Sequence, residues 1–120
     1  MTGKLPKRAP LVKAADFSAV FSQQRRVHAS HFLLLAKNNE ILFPRLGLAV
    51  AKKHLRTAVK RNVIKRLARE SFRMQQQDLP SMDIVLLTKK QLTSDWANLN
   101  KQQIRQELDN LFIKLKRNVQ

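Results

Sequence analysis

Residues 58–73 read "AVKRNVIKRLARESFR", six basic side chains against one acidic one, yet the apolar residues recur at helical spacing. At 100° per residue, Val59, Val63, Ile64, Leu67, Ala68, Ser71 and Met74 share about half of the circumference. That sector is expected to face a sheet. Arg61, Asn62, Lys65, Arg66, Arg69 and Arg73 fill the opposite sector, with Glu70 at one margin and Phe72 at the other, so a ridge of cations is expected to point outward. Arg61, Lys65 and Arg69 are spaced i, i+4, where like charges disfavour an isolated helix by about 0.2–0.5 kcal/mol per pair. An anionic partner reverses that cost. Lys60 falls inside the apolar sector and is expected to snorkel past the sheet edge. Lys52, Lys53 and Arg56 extend the positive charge upstream, and Asn62 adds a group suited to a sugar hydroxyl or base edge.

The flanking segments supply the sheet. "HFLLLAK" at 31–37 is an apolar run ended by "NNE", "RLGLAVAKK" at 45–53 follows Pro44, and "MDIVLLTKK" at 82–90 follows the break "DLPS". Three strand candidates with the helix between the second and third predict an α+β fold: a two-layer α/β sandwich with a small, three- to four-stranded sheet. Asn100 and Gln103 form a capping-box pattern, and Ile104, Leu108, Leu111, Phe112 and Leu115 keep helical spacing beyond it, predicting a C-terminal amphipathic helix. Trp96 and Leu99 are read as capping the core. Phe17, Val20 and Phe21 predict a short helix near the start, and residues 1–10 are read as extended. With no repeat and only two Gly and four Pro, residues 1–120 read as one domain.

The 24 Lys and Arg stand against 8 Asp and Glu, a formal net charge of +16 that points to a polyanionic partner. The absence of Cys removes disulfides, thiolate zinc sites and Cys nucleophiles together. His28, His31 and His54 lack metal-site spacing and read as surface or loop residues, so no bound metal is expected. Asp16, Glu40, Glu70, Asp78, Asp83 and Asp95 are scattered singly. Glu107 and Asp109, two apart, do not share a helical face and read as solubilising charge. No protein catalytic residue is therefore assigned. No apolar run reaches the roughly 20 residues of a membrane span, so a soluble, cytoplasmic protein is expected. Attachment to an anionic membrane surface is the weaker reading, since Phe72 alone borders the basic face.

Taken together, "GLAVAKKHLRTAVKRNVIKRLARESFR" (47–73), "DFSAVF" (16–21) and "DIVLLTKK" (83–90) resemble the protein subunit of bacterial ribonuclease P, in which a strand ending in "KK" precedes a basic "RNR" helix. The resemblance spans roughly residues 10–117 and departs at 61–63, which read "RNV", so Val63 stands where the family has a second Arg. It implies a small cofactor of a catalytic RNA that removes the 5′ leader of precursor tRNA, with Mg2+ at the RNA active site and none held by the protein. It also implies an RNA-binding set of Lys52, Lys53, Arg56, Arg61, Asn62, Lys65, Arg66, Arg69 and Arg73. A cleft beside the sheet would take the single-stranded leader, with Phe17 and Phe21 as stacking aromatics and Lys89 and Lys90 near leader phosphates. The implied assembly is a protein monomer bound one to one to the RNA, with neither membrane nor DNA as partner. The implied crossover around the basic helix is left-handed, against the usual rule. The competing readings are a structural RNA-binding protein such as a ribosomal component, and an architectural DNA binder.

Overall fold

Strands β2 (Phe32–Asn38) and β4 (Met82–Thr88) are apolar along almost their whole length because they form the centre of a sheet. The computed structural model describes residues 25–118. Around those two strands lie β1 (Arg25–His28), β3 (Arg45–Ala49), α1 (Ala58–Gln75), α2 (Gln91–Asp95) and α3 (Lys101–Asn118), with single 3-10 turns at Gln76–Asp78 and Trp96–Asn98. The sheet order is β1-β2-β4-β3; β2 runs antiparallel to β1 and β4, and β3 runs parallel to β4. Helix α1 is therefore the crossover between two parallel neighbours. The short helix expected around Phe17 and Phe21, and the extended residues 1–10, lie outside the described residues.

Register separates the two faces. Leu34 pairs with Val27 and Leu86, while the next residue, Leu35, pairs with Arg26 and Val85. Side chains directly opposite share a face. Phe32, Leu34, Ala36, Leu46, Met82, Ile84 and Leu86 thus join the helices in the main core, whereas Leu35 and Val85, with Leu33, Ala49 and Leu87, form a second cluster on the other face. The helix layer holds α1 and α3 side by side; the rings of Phe72 and Phe112 lie 5.9 Å apart, tilted at 59°. The two long helices start at side-chain caps written in their sequences. Thr57 Oγ accepts the Lys60 amide at 3.3 Å, and Asn100 and Gln103 close a reciprocal capping box at 2.8 and 2.9 Å.

Several expectations need correction. Val59 and Met74, assigned to the buried sector, are 74% and 75% exposed, and Phe72, placed at the basic margin, is buried. The sequence wheel assumed one neighbour, the sheet. In the fold α1 beds in the corner between sheet and α3, so its buried arc runs from Leu67 through Ser71, Ile64 and Ala68 to Phe72. Strand β3 ends at Ala49 rather than continuing to residue 53, because the Ala51 amide leaves the sheet to bond Thr88 Oγ1 at 3.2 Å. Strand β1 escaped the reading since an edge strand with one buried residue, Val27, has no apolar pattern to show.

His31, read as a surface or loop residue, is buried, and the acids read as dispersed charge surround it. Its Nδ1 lies 2.6 Å from Glu107 Oε1, its Nε2 lies 2.7 Å from Asp95 Oδ2, and its amide donates to Glu107 Oε2 at 2.8 Å. Two carboxylates on two ring nitrogens fit a doubly protonated imidazolium. Burial works against that charge, but the bonds to Glu107 and Asp95 outweigh it and raise the His31 pKa above its ordinary value. The bond to His31 lowers the Asp95 pKa in turn. The cluster ties the β1–β2 turn to α2 and α3.

Two outcomes follow from this core. Leu108→Ala, at a fully buried position in α3, is expected to lower unfolding free energy by about 2–5 kcal/mol in urea titrations. A His31 pKa higher in the folded than in the unfolded chain contributes stability that is complete below the unfolded value and is lost as pH rises through the folded one. The urea midpoint should accordingly decline above the ordinary histidine range near 6.5, and His31→Gln should flatten that decline.

Candidate nucleic-acid interface

The side of α1 away from the core corner is where the basic residues emerge. Asn62, Arg66, Arg69 and Arg73 are exposed at i, i+4, i+7 and i+11, forming the outward ridge. Lys65 stands on the flank toward β3, half-buried. Arg61 departs from its expected outward role: Nη1 donates to the backbone oxygens of Leu55 and Arg56 at 2.8 and 2.9 Å. Val63 packs against the main core, so the motif position that holds Arg in the resembled family serves packing here. Lys60 places its ammonium 5.7 Å from the centroid of the Trp96 ring, a cation–π arrangement. Trp96 and Leu99 pack on the core as expected.

Upstream, Lys52, Lys53 and Arg56 are exposed on the loop between β3 and α1. The loop is braced from several directions. Leu55 is buried, His54 Nδ1 bonds Thr88 Oγ1 at 2.9 Å, and Thr93 Oγ1 donates to the His54 carbonyl at 2.7 Å. A pocket of about 500 Å³ opens here at the ends of β3 and β4, with Lys53, His54 and Lys65 on its walls and Leu48 and Leu87 among its apolar lining. It connects the basic side of α1 with the outer sheet face. Of the predicted pair at the end of β4, Lys90 is exposed, whereas Lys89 Nζ donates to the Ala29 carbonyl at 2.7 Å and so secures the β1–β2 turn. Phe17 and Phe21 lie outside the described residues.

The acids are distributed elsewhere. Asp83 accepts both Nε and Nη2 of Arg45 at 2.8 Å and the Asn39 amide at 2.8 Å. Burial raises the Asp83 pKa, but these bonds more than reverse it and hold the carboxyl below its usual range. Arg105 Nε reaches Asp109 at 2.9 Å, and its Nη1 reaches Glu70 at 3.4 Å. Asp78 lies 3.7 Å from Lys116. With Asp95 and Glu107 on His31, these carboxylates neutralise Arg45, Arg105, Lys116 and His31. Among the described residues, none forms an ion pair with Lys52, Lys53, Arg56, Arg61, Lys65, Arg66, Arg69 or Arg73. Such segregation leaves a positive field over the outward ridge of α1 and its preceding loop, with Glu70 at the margin turned to Arg105.

A family model described as Ribonuclease P matches residues 5–116. The chain is 43% identical over 107 residues to the ribonuclease P protein component of Yersinia enterocolitica, covering 89% of this chain and 87% of the relative. The chain belongs to the ribonuclease P protein family. The component from Vibrio campbellii is 46% identical over 105 residues, 88% of this chain and 82% of that one. Among solved structures, the ribonuclease P protein of Staphylococcus aureus superposes with a TM-score of 0.78 at 31% identity, covering 88% of this chain and 94% of its own. That of Thermotoga maritima gives 0.77 at 32% identity, covering 92% and 97%. The chain is thus the protein component of ribonuclease P, an accessory subunit of an endoribonuclease holoenzyme that processes tRNA, and its partner is the RNA of that enzyme. The ribosomal and DNA-architectural readings have no support in these relatives.

Among the described residues, no group of three or more His, Cys, Asp or Glu side chains is placed to hold a metal. No described helix is long and apolar enough to cross a membrane. Sequence reasoning missed the braces His54, Thr88 and Thr93, whose partners lie 34 and 39 residues apart. No local pattern signals such pairs.

Proposed function

We propose that the ribonuclease P RNA binds across the ridge Asn62–Arg66–Arg69–Arg73, the flanking Lys65 and the loop cations Lys52, Lys53 and Arg56. The carrying observation is that none of these cations forms an ion pair with a described carboxylate, while carboxylates elsewhere neutralise a separate set of cations. Arginine forks suit bidentate phosphate contacts and lysines act as point charges. The proposed substrate is precursor tRNA, whose single-stranded leader lies along the outer sheet face beside Leu33, Ala49 and Leu87, with Phe17 and Phe21 as stacking partners. Base stacking on an aromatic ring contributes about 1–3 kcal/mol with little sequence preference, which suits varied leaders. Lys90 supplies a phosphate contact, and Lys89 is reassigned to the turn. The RNA holds the catalytic Mg2+, and the protein screens repulsion between RNA and substrate. We place the complex in the cytoplasm as one protein per RNA.

Binding to a bacterial ribonuclease P RNA transcript should weaken with salt, log affinity against log salt having a slope of about −4 to −6 if five to seven phosphates are neutralised. Arg69→Glu with Arg73→Glu should weaken binding and flatten that slope without lowering the unfolding midpoint; unchanged affinity would refute the interface. For the leader, cleavage of a precursor with a long leader is compared with that of one bearing a single-nucleotide leader. Phe17→Ala and Phe21→Ala should impair the long-leader substrate selectively, by about 5- to 160-fold in kcat/KM if one stacking contact is lost. Equal losses on both substrates would count against leader stacking.

A further inference from the structure

We infer that Arg61 is a positioning residue, which holds the 51–56 loop in one geometry so that Lys52, Lys53 and Arg56 meet RNA phosphates together. The inference rests on the proposed RNA interface and concerns how that interface is prepared. Arg61 stands one turn into α1, and its amide closes the first helical turn by donating to the Thr57 carbonyl at 3.2 Å. Its side chain reaches back over the helix N-terminus, where a single nitrogen, Nη1, serves the carbonyls of Leu55 and Arg56 at 2.8 and 2.9 Å. One Nη carries two N–H groups, enough for both acceptors. By contrast, Asn62, Lys65, Arg66, Arg69 and Arg73 make no side-chain hydrogen bond among the described residues.

The loop is otherwise held at its beginning and middle. The amides of His54 and Leu55 turn back onto the Ala51 carbonyl at 3.0 and 3.1 Å, and Thr88 takes the Ala51 amide and the His54 ring. Leu55 fixes the centre by burial. Arg61 secures the exit, where the carbonyls of residues 55 and 56 precede the helix cap at Thr57. With both ends fixed, the three loop cations are ordered before RNA arrives, so binding does not bear that ordering cost. Mutual repulsion among Lys52, Lys53 and Arg56 would otherwise spread an untethered loop.

The test is a double-mutant cycle in the full-length chain, reading affinity for a bacterial ribonuclease P RNA transcript, together with amide hydrogen exchange in the free protein. Arg61→Ala should weaken binding by about tenfold or more, exceeding Arg69→Ala. Lys53→Ala should cost several-fold in the wild-type background and little in the Arg61→Ala background, because coupled groups do not act independently. The amides of His54 and Leu55 should exchange faster in Arg61→Ala while those in the middle of α1 do not. An equal Lys53→Ala cost in both backgrounds, with loop exchange unchanged, overturns the positioning role. If Arg69→Ala, Arg73→Ala and Lys53→Ala all leave wild-type affinity unchanged, the interface itself is wrong, a result distinct from the first. Should Arg61→Ala melt well below the wild type, Arg61→Met, which keeps an apolar stem but has no donor for the two carbonyls, is carried through the same cycle with the same criteria.

Discussion

Burial of one arc of α1, from Leu67 through Ile64 and Ala68 to Phe72, is the interaction on which the remaining surface depends. A helix with this many like charges on one side has little reason to persist alone, since nucleation is costly and its i, i+4 cations repel. Docking into the corner between sheet and α3 supplies the missing stability, at roughly 1.5–3 kcal/mol for each large apolar side chain removed from water. The same docking fixes which residues face outward. Rotation of the helix about its axis would bury an arginine or expose Phe72, so packing and electrostatics specify one orientation.

Acidic residues complete that arrangement by being placed elsewhere. Asp83 and Glu107 join distant chain segments through Arg45 and His31, and Arg105 joins α3 to α1 through Glu70 while Asp109 accepts the Ser71 hydroxyl, stabilising the scaffold with acids kept off the outward ridge of α1. A carboxylate on the ridge would gain little as an exposed ion pair and would repel phosphate. Internal pairing therefore serves both the fold and a surface reserved for an anionic partner.

Local periodicity made β2, β4, α1 and α3 legible, because long apolar runs and i, i+3, i+4 repeats are written into consecutive residues. The capping box of Asn100 and Gln103 was legible for the same reason. What escaped depends on distant partners. Val59 and Met74 were misassigned because the position of α3 beside α1 decides which margin is covered, and His31 because Asp95 and Glu107 lie 64 and 76 residues away. Arg61 stands on the wheel between Ala68 and Phe72, inside the arc that the fold buries, and its bonds to the carbonyls of Leu55 and Arg56 depend on how the preceding loop turns, which spacing does not encode.

Lys60 over Trp96 has a consequence of another kind. The chain contains a single tryptophan, and its indole lies against the first turn of α1 rather than deep beneath the sheet. Its ultraviolet emission is consequently a native optical gauge of how the crossover helix seats, with neither dye nor engineered fluorophore needed to watch that end of the molecule.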